Sequence, residues 1–376
     1  MDPFALNRYN YSLCESIGPK RPPGAERGRV KVEQNDKIVI IGVTGYIGAW
    51  IAKQLTDMGY TQIIGTYRNE EKARKLQAML PNLNLYKANL GEKDNWKEVL
   101  SGAKWVFNQG SAFNPNDKTY KDRGRTKEKG IRTLFQLAVE SGSVMKIVHT
   151  SAESTIAYAN EDPSKTTFTE DDWTNENREG LFDLHMVSKT MEEKAAWSFI
   201  HSPENTTNIS MTTIHPTHVM GPSFAPWHHD MIYAMLHGDG AMADSQLYGV
   251  DVRDAAAMNI ALMKSPEANG RRHFASAFKT TYAAILHFIK EQFTDEQIRA
   301  VLGDVVRIIP GDDAADLFSP VQQTSYYQDM VPRMLNRVVY KTNYPEAYAY
   351  EYTEPNITVL QAMEKMLKDK SQRACD

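Results

Sequence analysis

Lys37-Ile-Val-Ile-Ile-Gly-Val-Thr-Gly-Tyr-Ile-Gly48 is the stretch whose reading decides the fold. Lys37 to Ile41 is a short run of isoleucine and valine, the composition of a strand buried on both faces. Gly42, Gly45 and Gly48 follow at three-residue spacing. From Tyr46 to Met58, Ile47, Ile51 and Leu55 share one helical face. A strand, a glycine turn and a helix together make a phosphate cradle. Glycine lets the backbone bend sharply and lets a pyrophosphate approach, and the helix N-terminus offers unpaired N–H groups and a positive dipole end. The plain reading is an ordinary tight turn between strand and helix. The flanking elements favour a dinucleotide site.

Working outward, strands and helices alternate. Thr61 to Thr66 reads as a second strand, Asn69 to Met79 as a helix, Leu83 to Tyr86 as a strand and Asp94 to Leu100 as a helix. Trp105 to Asn108, a long helix over Tyr120 to Ser141, and Lys146 to Thr150 continue the series, followed by a helix over Leu184 to Ile200 and a strand over Ile209 to Ile214. This alternation predicts an α/β protein with a doubly wound parallel sheet. Later elements are shorter: helices over Met231 to Leu236, Val252 to Met263, Thr281 to Gln292, Asp295 to Val301 and Ile357 to Lys368, with a strand over Val305 to Ile309. The expected division is an extended arm over 1–36 and a nucleotide-binding domain over 37–220, with 246–275 returning to it. A smaller substrate lobe then takes 221–245 and 276–376.

Bulk properties narrow the function classes. The chain has 376 residues, enough for one large domain with a lobe. Its 43 basic and 47 acidic side chains leave a net charge of −4, so no strong basic field exists to hold nucleic acid. Cys14 and Cys375 are the only cysteines, which fits a reducing compartment and a cytoplasmic location and leaves no metal-site spacing. No apolar run approaches the length of a membrane span. The first 36 residues carry six basic and five acidic side chains, without a signal-peptide core. Phe4, Leu6, Tyr9, Tyr11, Leu13 and Ile17 would let this arm dock on a protein partner.

The residues after the second strand bear on the choice of dinucleotide. Thr66, Tyr67 and Arg68 include no acid to meet a ribose 2′-OH, whereas the guanidinium of Arg68 suits the 2′-phosphate of NADP. A solvated surface arginine is the plain alternative.

Several motifs in order resemble the extended short-chain dehydrogenase/reductase family, also described as NAD-dependent epimerase/dehydratase-like. They are GVTGYIG at Gly42 to Gly48, GTYRNEEKARKL at Gly65 to Leu76, KANL at Lys87 to Leu90, VFNQGSAF at Val106 to Phe113, HTSAEST at His149 to Thr155, VSKTMEEKAAW at Val187 to Trp197, HPTHVMGP at His215 to Pro222 and DVRDAA at Asp251 to Ala256. Among its branches, the dihydroflavonol reductase, cinnamoyl-CoA reductase and yeast-type carbonyl reductase group is the most similar. The resemblance runs over roughly residues 37 to 275. It implies a Rossmann fold, NADP(H), and hydride transfer to or from a small carbonyl compound or alcohol. It implies that Gly42, Thr44, Gly45, Tyr46, Ile47 and Gly48 meet the pyrophosphate and Arg68 the 2′-phosphate. It puts Asn89 and Leu90 near the adenine, Gly110 and Ser111 at the ribose, and Pro216 to Val219 near the nicotinamide. Asn89 stands where the family usually has Asp, and an amide oxygen can still accept the same hydrogen bond.

The family's catalytic signature is a Tyr and a Lys four residues apart, on one helical face. Lys189 matches, and it would also hold the nicotinamide ribose. The position four before it is His185. Imidazole is shorter than phenol, and the Lys189 charge disfavours the imidazolium. A neutral ring can polarise a carbonyl but is a weak acid. The family's catalytic hydroxyl falls on Ala152, with Ser151 and Ser154 on either side as candidates; capping a loop is the commoner fate of such serines. Trp227-His228-His229-Asp230 makes a poor metal site. Asp251, Arg253 and Asp254 read as a structural ion pair. Three functions remain open: a carbonyl reductase, a pseudoenzyme serving a larger assembly through its arm, and a nucleotide-sugar epimerase or dehydratase.

Overall fold

The computed structural model describes residues 31–90, 95–157, 165–176, 184–225, 231–309, 339–340 and 352–373. Most of the expected arm, the Trp227 to Asp230 loop and most of the late tyrosines lie outside them. The first half alternates as β1 (Lys37–Ile41), α1 (Tyr46–Asp57), β2 (Ile63–Tyr67), α2 (Glu70–Met79), β3 (Asn84–Lys87), α3 (Trp96–Leu100), β4 (Ala103–Asn108), α4 (Tyr120–Ser141) and β5 (Lys146–Thr150). There follow β6 (Thr167–Phe168), α5 (Leu184–Ile200), β7 (Ser210–Pro216), β8 (His218–Met220), α6 (Met231–Leu236), β9 (Ala241–Ala243), β10 (Gln246–Asp251), α7 (Val252–Lys264), β11 (Arg272–Ala275) and β12 (Phe278–Thr281). The chain closes with α8 (Tyr282–Gln292), α9 (Asp295–Leu302), β13 (Arg307–Ile309), β14 (Val339–Tyr340) and α10 (Pro355–Arg373).

Seven parallel strands form the main sheet in the order β11-β7-β5-β4-β1-β2-β3. β1 is continuously apolar because both of its faces are covered. Ile38 and Ile40 pack with Ile51 and Leu55 of α1 and Ile260 of α7. Val39 and Ile41 join Leu134 and Phe135 of α4 and Ala196 and Phe199 of α5. The strand order reverses between β1 and β4, so the loops after these two strands flank a crevice at the carboxyl edge.

A second sheet, β12-β10-β8, has a separate apolar core with α6, α8, α9 and α10, including Leu236, Phe278, Ile289 and Met363. Within 246–275, β10 pairs in this small sheet, whereas α7 and β11 pack on the large one. The strand expected over Val305 to Ile309 is β13, whereas the short strands β8 to β12 have no clear alternation in sequence. Tertiary pairing, rather than local pattern, fixes them.

Candidate cofactor and active site

The carboxyl ends of six adjacent strands carry the residues singled out from the sequence: β3 leads to Asn89, β2 to Arg68, β1 to Gly42, β4 to Gly110, β5 to Ser151, and β7 ends at Pro216. Gly42 has φ +74°, a left-handed conformation that glycine adopts at little cost. Its amide donates to Thr66 Oγ1 at 3.2 Å. A Cβ at Gly48 would lie 2.6 Å from the Gly42 carbonyl oxygen, so α1 packs on the turn only through a glycine. Gly45 is the N-cap of α1 and supplies no side-chain cap. The residues present therefore fit a pyrophosphate at the helix N-terminus. Thr44, Tyr46 and Ile47 are half-buried around it. Tyr46 donates its hydroxyl to the Gly221 carbonyl, and Trp50 Nε1 donates to the Pro222 carbonyl at 2.9 Å.

Arg68 is exposed one residue beyond β2, beside Asn69, whose side chain caps α2 by accepting from the Lys72 amide at 2.9 Å. The loop after β4 crosses close to the glycine turn. Gln109 donates its amide to the Ile41 carbonyl at 3.0 Å, and Gly110 donates to Asn108 Oδ1 at 3.3 Å. Leu90 is buried, within van der Waals reach of a Cβ at Gly110. Asn89 is half-buried, and its carbonyl accepts from Trp96 Nε1 at 3.1 Å. Pro216 is buried, and Val219 in β8 pairs with Val250 of β10.

Lys189 lies one turn after His185 on α5, and the side chain of His185 lies outside what is described. The Lys189 ammonium donates to Glu192 Oε2 at 2.8 Å, to the Thr150 carbonyl at 3.2 Å and, more weakly, to Ser111 Oγ at 3.5 Å. Ser111 Oγ also donates to Glu192 Oε2 at 2.8 Å. Glu192 is thus a fully buried carboxylate tied to two residues expected at the ribose. Burial would raise its pKa, but the Lys189 charge and the charged groups behind it hold it below the usual carboxylate range. Asn108 Nδ2 donates to His149 Nδ1 at 2.9 Å, an orientation set by the Gly110 bond to Asn108 Oδ1. Burial and the Lys189 charge push His149 down to about 4, so the ring is neutral at pH 7 with its proton on Nε2.

The two candidate serines differ. Ser151 is buried, and its hydroxyl donates to Glu193 Oε2 at 2.7 Å. Ser154 sits in a 3₁₀ turn, Glu153–Thr155, with a buried hydroxyl lacking a hydrogen-bond partner among the described residues. Glu193 also meets His215 Nε2 at 2.9 Å, Arg272 Nε at 2.7 Å and Thr155 Oγ1 at 2.7 Å. Burial would raise the Glu193 carboxyl, but His215 and Arg272 hold it well below the usual range. Burial lowers the His215 pKa, so Arg272 is the permanent counter-charge at neutral pH. Arg272 in turn lies 3.7 Å from the centre of the Trp173 ring.

The match to known proteins follows the same span. A model of the NAD dependent epimerase/dehydratase family matches residues 38–275. The chain belongs to this family. Cinnamoyl-CoA reductase CAD2 of Medicago truncatula is 26% identical over 287 residues, covering 73% of this chain and 86% of the relative. Tetraketide alpha-pyrone reductase 1 of Arabidopsis thaliana is 28% identical over 251 residues, 62% of this chain and 74% of the relative. Among solved structures, Gre2 of Candida albicans in complex with NADPH has a TM-score of 0.69 at 23% identity, covering 89% of this chain and 99% of that one. This epimerase/dehydratase chain therefore shares the fold of such reductases.

Glu192, its neighbour Glu193 and Arg272 escaped the sequence reading. Glu192 lies three residues after Lys189, and that i, i+3 spacing was a usable signal. Arg272 comes from β11, 79 residues after Glu193, and no local pattern connects them. Among the described residues, no group of three or more His, Cys, Asp or Glu side chains could hold a metal ion, and no helix is long and apolar enough to cross a membrane.

Proposed function

We propose that this epimerase/dehydratase-family chain is an NADP(H)-dependent oxidoreductase acting on a small carbonyl compound or the corresponding alcohol. The carrying observation is the meeting of Lys189 Nζ, Ser111 Oγ and the Thr150 carbonyl beside the Gly42 to Gly48 turn. NADP(H), when bound, supplies or accepts the hydride. The residues of the chain bind and orient. The turn at Gly42, Gly45 and Gly48 takes the pyrophosphate, and Arg68 meets the 2′-phosphate as a charge-assisted donor. Lys189 and Ser111 take the ribose hydroxyls. His185, one turn before Lys189, polarises the carbonyl oxygen from its ring N–H. We read 37–220 without β8, together with α7 and β11, as the nucleotide half and the small sheet, which includes β8, as the substrate half, with the cytoplasm as the compartment.

The relatives support this reading because cinnamoyl-CoA reductase and tetraketide alpha-pyrone reductase are named as reductases, and the Gre2 neighbour carries NADPH. One observation favours the pseudoenzyme reading: the Ser151 hydroxyl is committed to Glu193, away from any substrate role. The deciding experiment follows NADPH oxidation over a panel of aldehydes and ketones, with the native chain and with His185→Tyr. Turnover by the native chain is expected. NADPH binding without turnover, together with activity in His185→Tyr, would instead make the chain a nucleotide-binding pseudoenzyme.

A further inference from the structure

Glu192 has no part in the hydride chemistry, yet it is bonded to both residues assigned to the ribose. The Lys189 ammonium has three protons, and all three face protein acceptors: Glu192, Thr150 and Ser111. Taking a ribose hydroxyl requires Lys189 to give up at least one of these bonds. The Glu192 carboxylate is fully buried, and its second oxygen, Oε1, has no partner among the described residues. Its ionised form depends on the Lys189 charge, because an uncompensated buried carboxylate takes up a proton instead.

We propose that Glu192 is a proton-linked counter-ion of the cofactor site: Lys189 turns its ammonium toward the nicotinamide ribose, and Glu192 takes one proton from solvent as the ion pair loosens. The inference rests on the cofactor reading above. The balance is simple. One O–H bond forms on Glu192, the proton comes from water or buffer, and no electrons move.

The charged and titratable groups facing Glu192 come from three elements. Lys189 is on its own helix, His149 is on β5, and Lys127 is on α4. His149 is neutral at pH 7, with its Nε2 buried and lacking a partner among the described residues, so it supplies no replacement charge. Lys127 Nζ donates at 2.9 Å to the hydroxyl of Ser188, the residue next to Lys189 on α5. In the free protein the Lys189 pair holds the Glu192 pKa low, and loosening that pair raises it. Protons are therefore taken up on binding, and affinity for NADP(H) falls as pH rises between the two values.

The test is calorimetric titration of the full chain with NADPH from pH 7 to pH 9, in buffers of different ionisation enthalpy. This range lies above the titration of a phosphate monoester, about 6. The native chain is expected to take up a fraction of a proton that shrinks as pH rises, with affinity falling by at most about tenfold per pH unit. Glu192→Gln is expected to show no Glu192-linked uptake and a flat profile. An infrared difference spectrum gives a second readout on the native chain alone: a protonated-carboxyl stretch appears on adding NADPH. Binding with neither uptake nor the carboxyl stretch overturns this inference and leaves the cofactor reading standing. Uptake that persists in full in Glu192→Gln also overturns it. Failure of the native chain to bind NADPH overturns both.

Discussion

At Gly48 the backbone of α1 passes so close to the Gly42 carbonyl that a methyl group has no room. The contact is with backbone, which cannot swing aside as a side chain can. Gly48→Ala is expected to destabilise the fold by about 1–3 kcal/mol, read as a lower midpoint in urea, and to weaken NADPH binding with it. Arg68 differs because it is exposed and outside the core. Arg68→Ala should leave the urea midpoint unchanged and cost NADPH about 1.5–3 kcal/mol of binding, the range for a hydrogen bond to a charged group. NADH affinity should hardly move. Equal losses for NADPH and NADH in a fluorescence titration would remove Arg68 from the 2′-phosphate.

At the scale of elements, α5 serves two sites through neighbouring residues. Glu192 turns to the loop after β4, and Glu193 turns to β7, β11 and the 3₁₀ turn after β5. Glu193 thus ties the cofactor helix to the far edge of the main sheet. Removing its charge leaves Arg272 buried without its counter-ion, and Glu193→Gln is expected to cost about 3–5 kcal/mol. The pH dependence has a definite sign. The folded carboxyl lies well below the ordinary glutamate value of 4.5, whereas the unfolded one does not. The stabilisation is therefore fully present above pH 4.5 and is lost as pH falls through the folded value, because the unfolded chain binds the proton first. Urea midpoints measured from pH 7 down to pH 3 should fall steeply for the native chain and less steeply for Glu193→Gln.

Across the whole molecule, Asp251 links the small sheet to the large one, ending β10 and capping α7. This buried carboxylate caps α7 at the Arg253 amide at 2.8 Å, pairs with Arg253 Nη2 at 2.6 Å and accepts from Thr358 Oγ1 of α10 at 2.9 Å. Gly221, with φ +116°, brings the chain against the same carboxylate, and its carbonyl receives the Tyr46 hydroxyl. The junction therefore reaches back to the glycine turn. Asp251→Asn weakens a buried ion pair at this hub, and α10 is expected to lose hydrogen-exchange protection while β1 and α1 keep theirs. Equal loss in both halves would mean that they unfold as one cooperative unit.

How much could be read in advance follows from these scales. β1, α1, α4, β5 and α5 were legible because long apolar runs and helical periodicity are local properties of the chain. The glycine turn and the places of Arg68 after β2 and Lys189 on α5 were legible for the same reason, since strand, turn and helix are set by local spacing. The short strands β8 to β12 were not, because pairing partners far along the chain stabilise them. The role of Ser151 was not legible either. Its sequence position allowed a catalytic hydroxyl, and only the arrival of Glu193 and Arg272 from two other elements shows where that hydroxyl is bonded. The sequence by itself determined a dinucleotide-type strand, turn and helix in a parallel sheet. The tertiary structure alone decided which charges neutralise one another, because ion pairing in a buried site depends on groups that meet through space.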